Sequence, residues 1–397
     1  MARNKITNIV DAKESGFDLG QLSRLTNAIE QDTSKGLYDG AVFIVARGGN
    51  IVLYEAIGYT DLEKKRVARK DDVFFIMSIT KQLTTTLVLM KIDRGEIALT
   101  TTVASIIPEF GKKGKQNITV KHLLTHMSGI STELPPNLPL EQVGNLQAYV
   151  VAACDQRLMT IPGKGVSYNP FTAHAVLAEI VRRLDGGTRP FRQILAEDLL
   201  QPLGMNDTFM GVRPDLATRR VPVIVRDATP GLFDPALLEA TNILFAEDTE
   251  IPAGGVFSTA LDIYRFSEML RCGGELDGKR FLSPAILRLA ITNQTGTNRN
   301  DIFDYARETY GWPEFPAYLG LSFFLRGEGL FPTPLGLTTS QGTFAGLGAG
   351  STMFWVDPER DLTFVCLTAG LLEEAASMLR FQRLSDLVVA AVADSHR

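Results

Sequence analysis

Cysteine and histidine are scarce in this chain, with 3 and 4 residues among 397. Cys154, Cys272 and Cys366 lie far apart, which argues against a disulfide framework or a zinc site, so a reduced cytoplasm is the default location. No run approaches the roughly eighteen consecutive apolar residues that a membrane span needs. Met1 to Gly16 is polar and lacks the apolar core of a signal peptide. Positive charge is not in excess either: the net charge is -5 and the pI about 5.6, so the basic footprint of a nucleic-acid-binding protein is missing. The short Lys112-Lys113-Gly114-Lys115 loop reads as a solvated turn. There is no Gly-x-Ser-x-Gly elbow, no His-Glu-x-x-His and no phosphate-binding Gly-x-x-x-x-Gly-Lys. Gly346-Leu347-Gly348-Ala349-Gly350 looks faintly like a dinucleotide loop, but a strand pattern follows it where a helix would be required.

What is present is a globular composition, 45% apolar and 21% charged, in a chain long enough for one large domain or two of ordinary size. Leu22, Leu25 and Ile29 mark an amphipathic helix over residues 19–31. Ala41 to Ala46, a Gly48-Gly49-Asn50 turn and Ile51 to Tyr54 predict a β-hairpin. The other end mirrors this, with strands over 352–356 and 362–367 and a long helix from about Glu373 to Ala393. The pattern predicts one antiparallel sheet built from both termini, with those helices packed against it. Between about Ser78 and Leu200 the signals are helical, broken by Pro/Gly-rich loops at 134–139 and 161–165, which predicts an inserted helical region. The fold expected is therefore α/β (α+β), with residues 1–75 and 250–397 forming the sheet domain and 76–249 a mainly helical one.

Ser78-Ile79-Thr80-Lys81 opens the helical stretch and sets a hydroxyl and an amine one helical turn apart, close enough to meet. Serine needs an adjacent base to act as a nucleophile, and a lysine desolvated in a cleft supplies one as its pKa falls. Chance alone provides about one such pattern in a chain of this composition. Tyr168, in a loop just before a helix over 172–185, is either a buried stacking residue or a proton relay pushed toward phenolate by a neighbouring lysine. Gly346 to Ser351, ahead of the 352–356 strand, is either an ordinary tight turn or a backbone edge whose N–H pairs with that of Ser78 as an oxyanion hole. His122 and His126 have i,i+4 spacing without a third ligand, which favours a structural role at a helix end over a metal site, and His174 reads as a packing residue. Residues 298–343 are a long stretch rich in Gly, Pro and aromatics, of the kind that often forms part of a binding site or lid, and its portion from about Trp312 to Phe331 is the candidate acyl or alcohol pocket.

Taken together, Ser78-x-x-Lys81, the Tyr168-Asn169-Pro170 loop, the 346–348 edge and the stretches 118–129, 202–208 and 253–262 resemble the serine β-lactamase-like superfamily. The closest branch is that of class C β-lactamases and family VIII carboxylesterases. The resemblance runs from about Leu19 to Ala390. It implies Ser78 as the acylated nucleophile, Lys81 as its base, Tyr168 as the catalytic tyrosine, and Ala349 as donor of the second oxyanion N–H, with no metal or cofactor. Two departures matter. Pro170 stands where the family's Tyr-x-Asn ends in an amide. Gly346-Leu347-Gly348 stands where Lys-Thr-Gly, His-x-Gly or Trp-Gly-Gly is usual, with Gln341-Gly342-Thr343 the neighbouring register. The cation for a β-lactam carboxylate is thus missing. The expectation is a serine carboxylesterase acting on small esters through acyl-Ser78, with Gly346 and Gly348 at the substrate. An acyltransferase to an alcohol and a β-lactamase or penicillin-binding-like protein are the alternatives. Neither nucleic acid nor membrane is an expected partner.

Overall fold

The computed structural model describes residues 9–229, 231 and 234–393. The expectation for the chain start therefore lies partly outside the described residues, and His396 entirely so. Among the described residues no helix is long and apolar enough to cross a membrane.

The first helix, α1 (Leu19–Ser34), starts at Asp18, whose side chain accepts a hydrogen bond from the Gln21 N–H. Strands β1 (Gly40–Arg47), β2 (Asn50–Asp61) and β3 (Arg66–Val67) follow. The central helices are α2 (Thr80–Asp93), α3 (Leu146–Asp155) and α4 (Thr172–Leu184). Next come α5 (Pro235–Leu244) and α6 (Ala260–Arg271). Strands β4 (Phe324–Leu325), β5 (Phe344–Gly348), β6 (Thr352–Asp357) and β7 (Leu362–Ala369) lead to the last helix, α7 (Glu374–Ala390). The seven strands form one antiparallel sheet in the order β3-β2-β1-β7-β6-β5-β4. Chain start and chain end therefore meet at the β1–β7 pair, where Phe43 sits opposite Cys366.

Every residue of β1 is buried, because the sheet is covered on both faces. Side chains alternate across a strand, so Phe43 and Val45 join a core with Leu25 and Ile29 of α1 and Phe381, Leu384 and Val388 of α7. Val42, Ile44 and Ala46 face the opposite core, shared with Leu83, Leu87 and the helices between the two halves of the sheet. Trp355 of β6 points toward α7 and its indole N–H donates to Ser385 Oγ at 3.0 Å. Helix α2 lies in the middle of this second core. Its residues from Thr80 to Lys91 are all buried, so it has no polar face.

A second, three-stranded sheet joins Phe74–Phe75, Val256–Ser258 and Phe209–Met210. It ties the segment just before Ser78 to the segment just after Ala253, as the next subsection uses. Leu384 is fully buried between α1, α7 and the sheet. Leu384→Ala is expected to lower stability by about 2–5 kcal/mol, measured as a reduced unfolding midpoint in urea. An unchanged midpoint would mean that α7 is not packed as described.

Candidate active site

Ser78 lies in a 3-10 turn, Met77–Ile79, that runs directly into α2. The residue before it, Met77, has φ 47, a left-handed conformation that costs energy for a side chain of this size. Ile76 N–H donates to Val256 O at 3.0 Å, and Thr80 Oγ1 accepts from Val256 N–H at 3.2 Å, so the turn is clamped on both sides. One helical turn on, the Lys81 amine is buried with three neighbours: Ser78 Oγ at 3.0 Å, Pro170 O at 3.0 Å and Ala253 O at 2.7 Å. Burial is the cause that pulls its pKa from 10.5 to about 7. A neutral amine has two N–H bonds and one lone pair. Carbonyls only accept, so the two carbonyls take the two N–H bonds. The lone pair is left facing Ser78, whose hydroxyl can then donate to it.

Tyr168 is buried against the same amine, which sits 5.1 Å from its ring centroid. Burial raises its pKa to about 12, and a hydrogen bond to Ser78 opposes that shift. The lysine does not push it toward phenolate, as sequence reasoning allowed, because desolvation outweighs any positive charge on a largely neutral amine. At neutral pH Tyr168 is a proton-bearing phenol. Its loop is held by His126, whose carbonyl accepts from Ser167 N–H at 2.9 Å and whose Nδ1 accepts from Asn169 N–H at 3.0 Å. The hydrogen bond to Nδ1 leaves the ring proton on Nε2. The His126 ring lies 4.6 Å from that of Tyr168 at 32°, and His174 packs behind it at 5.7 Å. Burial depresses both imidazoles, His126 to about 3, so both are uncharged. His122 serves the helix-end role expected of it, in a reciprocal cap with Thr119.

The third element is the edge of β5. A β-carbon on Gly348 would come within 2.4 Å of Ile76 O, so glycine there lets the strand lie directly against the turn that carries Ser78. Gly346 backs onto Gln82 and Phe354. Gln341-Gly342-Thr343 lies farther along, where the Thr343 N–H bonds Ser340 O and its carbonyl bonds Arg326 N–H. Ser78 and Ala349 both line two cavities, and among the described residues neither backbone N–H donates to another protein group. Such a pair of free donors is what an oxyanion hole requires. The larger cavity, about 510 Å³, also takes in Phe75, Met77, Pro170 and α5. The smaller, about 90 Å³, includes Tyr168, Ile302, Phe303, Phe324, Leu347 and Gly348. Trp312 and Phe331 line neither. Trp312 stacks on Tyr310 and Phe331 on Phe315, so the aromatic segment meets the site through Ile302, Phe303 and Phe324. Among the described residues no group of three or more His, Cys, Asp or Glu side chains is placed to hold a metal ion.

Residues 25–387 match the Beta-lactamase family. The chain belongs to it. Esterase EstB from Burkholderia gladioli is 30% identical over 292 residues, 66% of this chain and 73% of that protein. Two solved structures share the fold: a penicillin-binding protein homologue from Caulobacter crescentus (TM-score 0.77, 22% identical, 95% of this chain and 99% of that one) and a family VIII carboxylesterase (TM-score 0.75, 19% identical, 94% and 99%). The protein is a serine hydrolase of the β-lactamase fold.

Within this family frame, sequence reasoning missed three contributors to the site: the carbonyls of Pro170 and Ala253, and His126 beside Tyr168. Backbone carbonyls carry no residue signature, so nothing in the sequence marks the first two. A pH dependence follows from Lys81. Only the neutral amine can take a proton, and its fraction grows as pH rises through about 7. Single-turnover acylation is expected to rise about tenfold per pH unit below that value and to level off above it. A rate that is flat from pH 6 to pH 8, or that survives in Lys81→Met, would place the base elsewhere.

Proposed function

We propose that the protein is a serine carboxylesterase working through an acyl-Ser78 intermediate. Lys81 takes the Ser78 proton as Oγ attacks the ester carbonyl, forming the Oγ–C bond. The N–H groups of Ser78 and Ala349 receive the resulting oxyanion. When the carbon–alkoxy bond breaks, Tyr168 gives its proton to the departing alcohol and is restored by the Lys81 ammonium. Water then repeats the sequence on the acyl-enzyme and releases the acid. The substrate is a small molecule, and the cytoplasm is the setting we propose for the reaction.

One observation carries the choice of a neutral ester over a β-lactam. The small cavity beside Tyr168 is lined by Leu347, Phe303, Phe324 and Met378, and among the described residues its one charged lining residue is the acidic Glu374. A β-lactam carboxylate placed there would meet apolar surface and a like charge, and would lose hydration without a charged hydrogen-bond donor in return. The esterase among the relatives agrees with this reading.

The test is turnover of p-nitrophenyl esters together with intact-mass measurement of the quenched enzyme. Steady hydrolysis is expected, with the acyl mass on the peptide that contains Ser78, and Ser78→Ala is expected to lose both. Full activity in Ser78→Ala would overturn the nucleophile. Rapid hydrolysis of a chromogenic cephalosporin would overturn the preference for neutral esters.

A further inference from the structure

The two cavities differ in size, and Tyr168 distinguishes them chemically. On the esterase reading above, the group that protonates the departing alcohol must face that alcohol. Tyr168 lines the small cavity of about 90 Å³ and is absent from the wall of the large one. Ser78 and Ala349 line both, as groups at the reacting carbon must. The alcohol therefore leaves through the small cavity, and the acyl group extends into the large one.

We infer that the substrates are esters of medium-chain apolar acids with small alcohols. The acyl cavity, about 510 Å³, falls within the ~300–1,000 Å³ that accommodates a drug-sized ligand and far exceeds what an acetyl group fills. Its wall is largely aliphatic and aromatic, with Leu134, Val143, Phe245, Ile251 and the α5 residues Leu237 and Leu244 among its lining. Among the described residues four charged ones also line it: Glu141 and Asp248, which are exposed to solvent, and Arg192 with Glu250, where the Glu250 carboxylate accepts from the Arg192 backbone N–H at 2.7 Å and lies 4.0 Å from its guanidinium. Apolar surface of this extent rewards each methylene the acid adds until the cavity is full. α5 is fastened by Asn242, whose side chain bonds both the N–H and the carbonyl of Val223 at 2.9 and 2.7 Å. Leu237 and Leu238 of this helix line the cavity. This differs from the small esters expected of the sequence, since nothing in residues 134–146 or 235–251 announces that they converge.

The experiment is a pH-stat series of ethyl esters from acetate to dodecanoate, followed by octanoate esters of increasingly bulky alcohols. kcat/KM is expected to rise roughly fourfold per added methylene up to about octanoate. Leu237→Trp and Val143→Trp, both in the large cavity, are expected to shift the optimum toward shorter acids. Ile302→Trp, in the small cavity, is expected to tighten the choice of alcohol and leave the order of acids as it was. Acetate as the best acid, or tryptophans at 237 and 143 that alter the choice of alcohol and not of acid, would overturn the inference. Intact mass separates this failure from the larger one. If short acids label Ser78 and turn over while octanoate does not, the cavity assignment alone fails; if no ester labels Ser78, the esterase reading fails with it.

Discussion

A buried lysine amine, with no carboxylate among the described residues bonded to it, is the constraint around which the rest of the molecule is arranged. Its ordinary pKa of 10.5 falls to about 7 through burial, which corresponds to a penalty on the order of 5 kcal/mol against the ammonium form. That penalty is useful only if the neutral amine has somewhere to put two N–H bonds and points its lone pair at Ser78. Two carbonyls meet the first need, and they come from segments 89 and 172 residues away in the chain. Bringing them to one nitrogen requires α2 to lie at the centre of the protein, the Tyr168 loop to close over its start, and the strand after Ala253 to pair with Phe74–Phe75. The burial of α2 from Thr80 to Lys91 is the packing consequence of that requirement.

Among the described residues, the other groups named beside the amine are uncharged, and this is a condition of the same device. A carboxylate within reach would stabilise the ammonium and remove the base. His126 and His174 stand near it as neutral imidazoles, and Tyr168 as a protonated phenol, each fixed in that state by burial. An acid and a base therefore sit together with their proton affinities well separated: the amine is ready to accept near neutrality and the phenol holds its proton. The left-handed Met77 is the backbone cost of presenting Ser78 to both at the mouth of two cavities.

The parts of this that could be read from sequence are those carried by side-chain identity at fixed spacing. Ser78 and Lys81 touch because i,i+3 neighbours on a helical turn always do. The terminal sheet was legible because 41–46 and 362–367 are short, largely apolar runs bounded by turn residues, and α1 because Leu22, Leu25 and Ile29 recur at helical spacing. What could not be read depends on long-range backbone placement. The carbonyl partners of Lys81 have no signature, and the sign of the Tyr168 shift depends on how deeply the loop is buried. Trp312 and Phe331 belong to an aromatic-rich segment, but composition does not say which aromatics face inward. Phe303 and Phe324 do, and Trp312 stacks on its neighbour Tyr310.

Pro170 shows how chemistry and recognition are separated at this site. An asparagine here would offer both a side-chain amide for a substrate and a backbone carbonyl for its surroundings. Proline removes the amide and its own backbone N–H, and keeps the carbonyl. In this chain the carbonyl is the part that Lys81 uses, at 3.0 Å, while the adjacent Asn169 is occupied in structure: its Oδ1 accepts from Ala173 N–H and its Nδ2 donates to Ser131 O. In the mechanism proposed above, proton transfer thus depends on the backbone at 170 and not on its side chain. Losing the amide leaves the lysine's surroundings intact and takes away a polar contact on the side where Pro170 borders the large cavity. That contact is what an amide-bearing acyl group would seek, and its absence agrees with an apolar one.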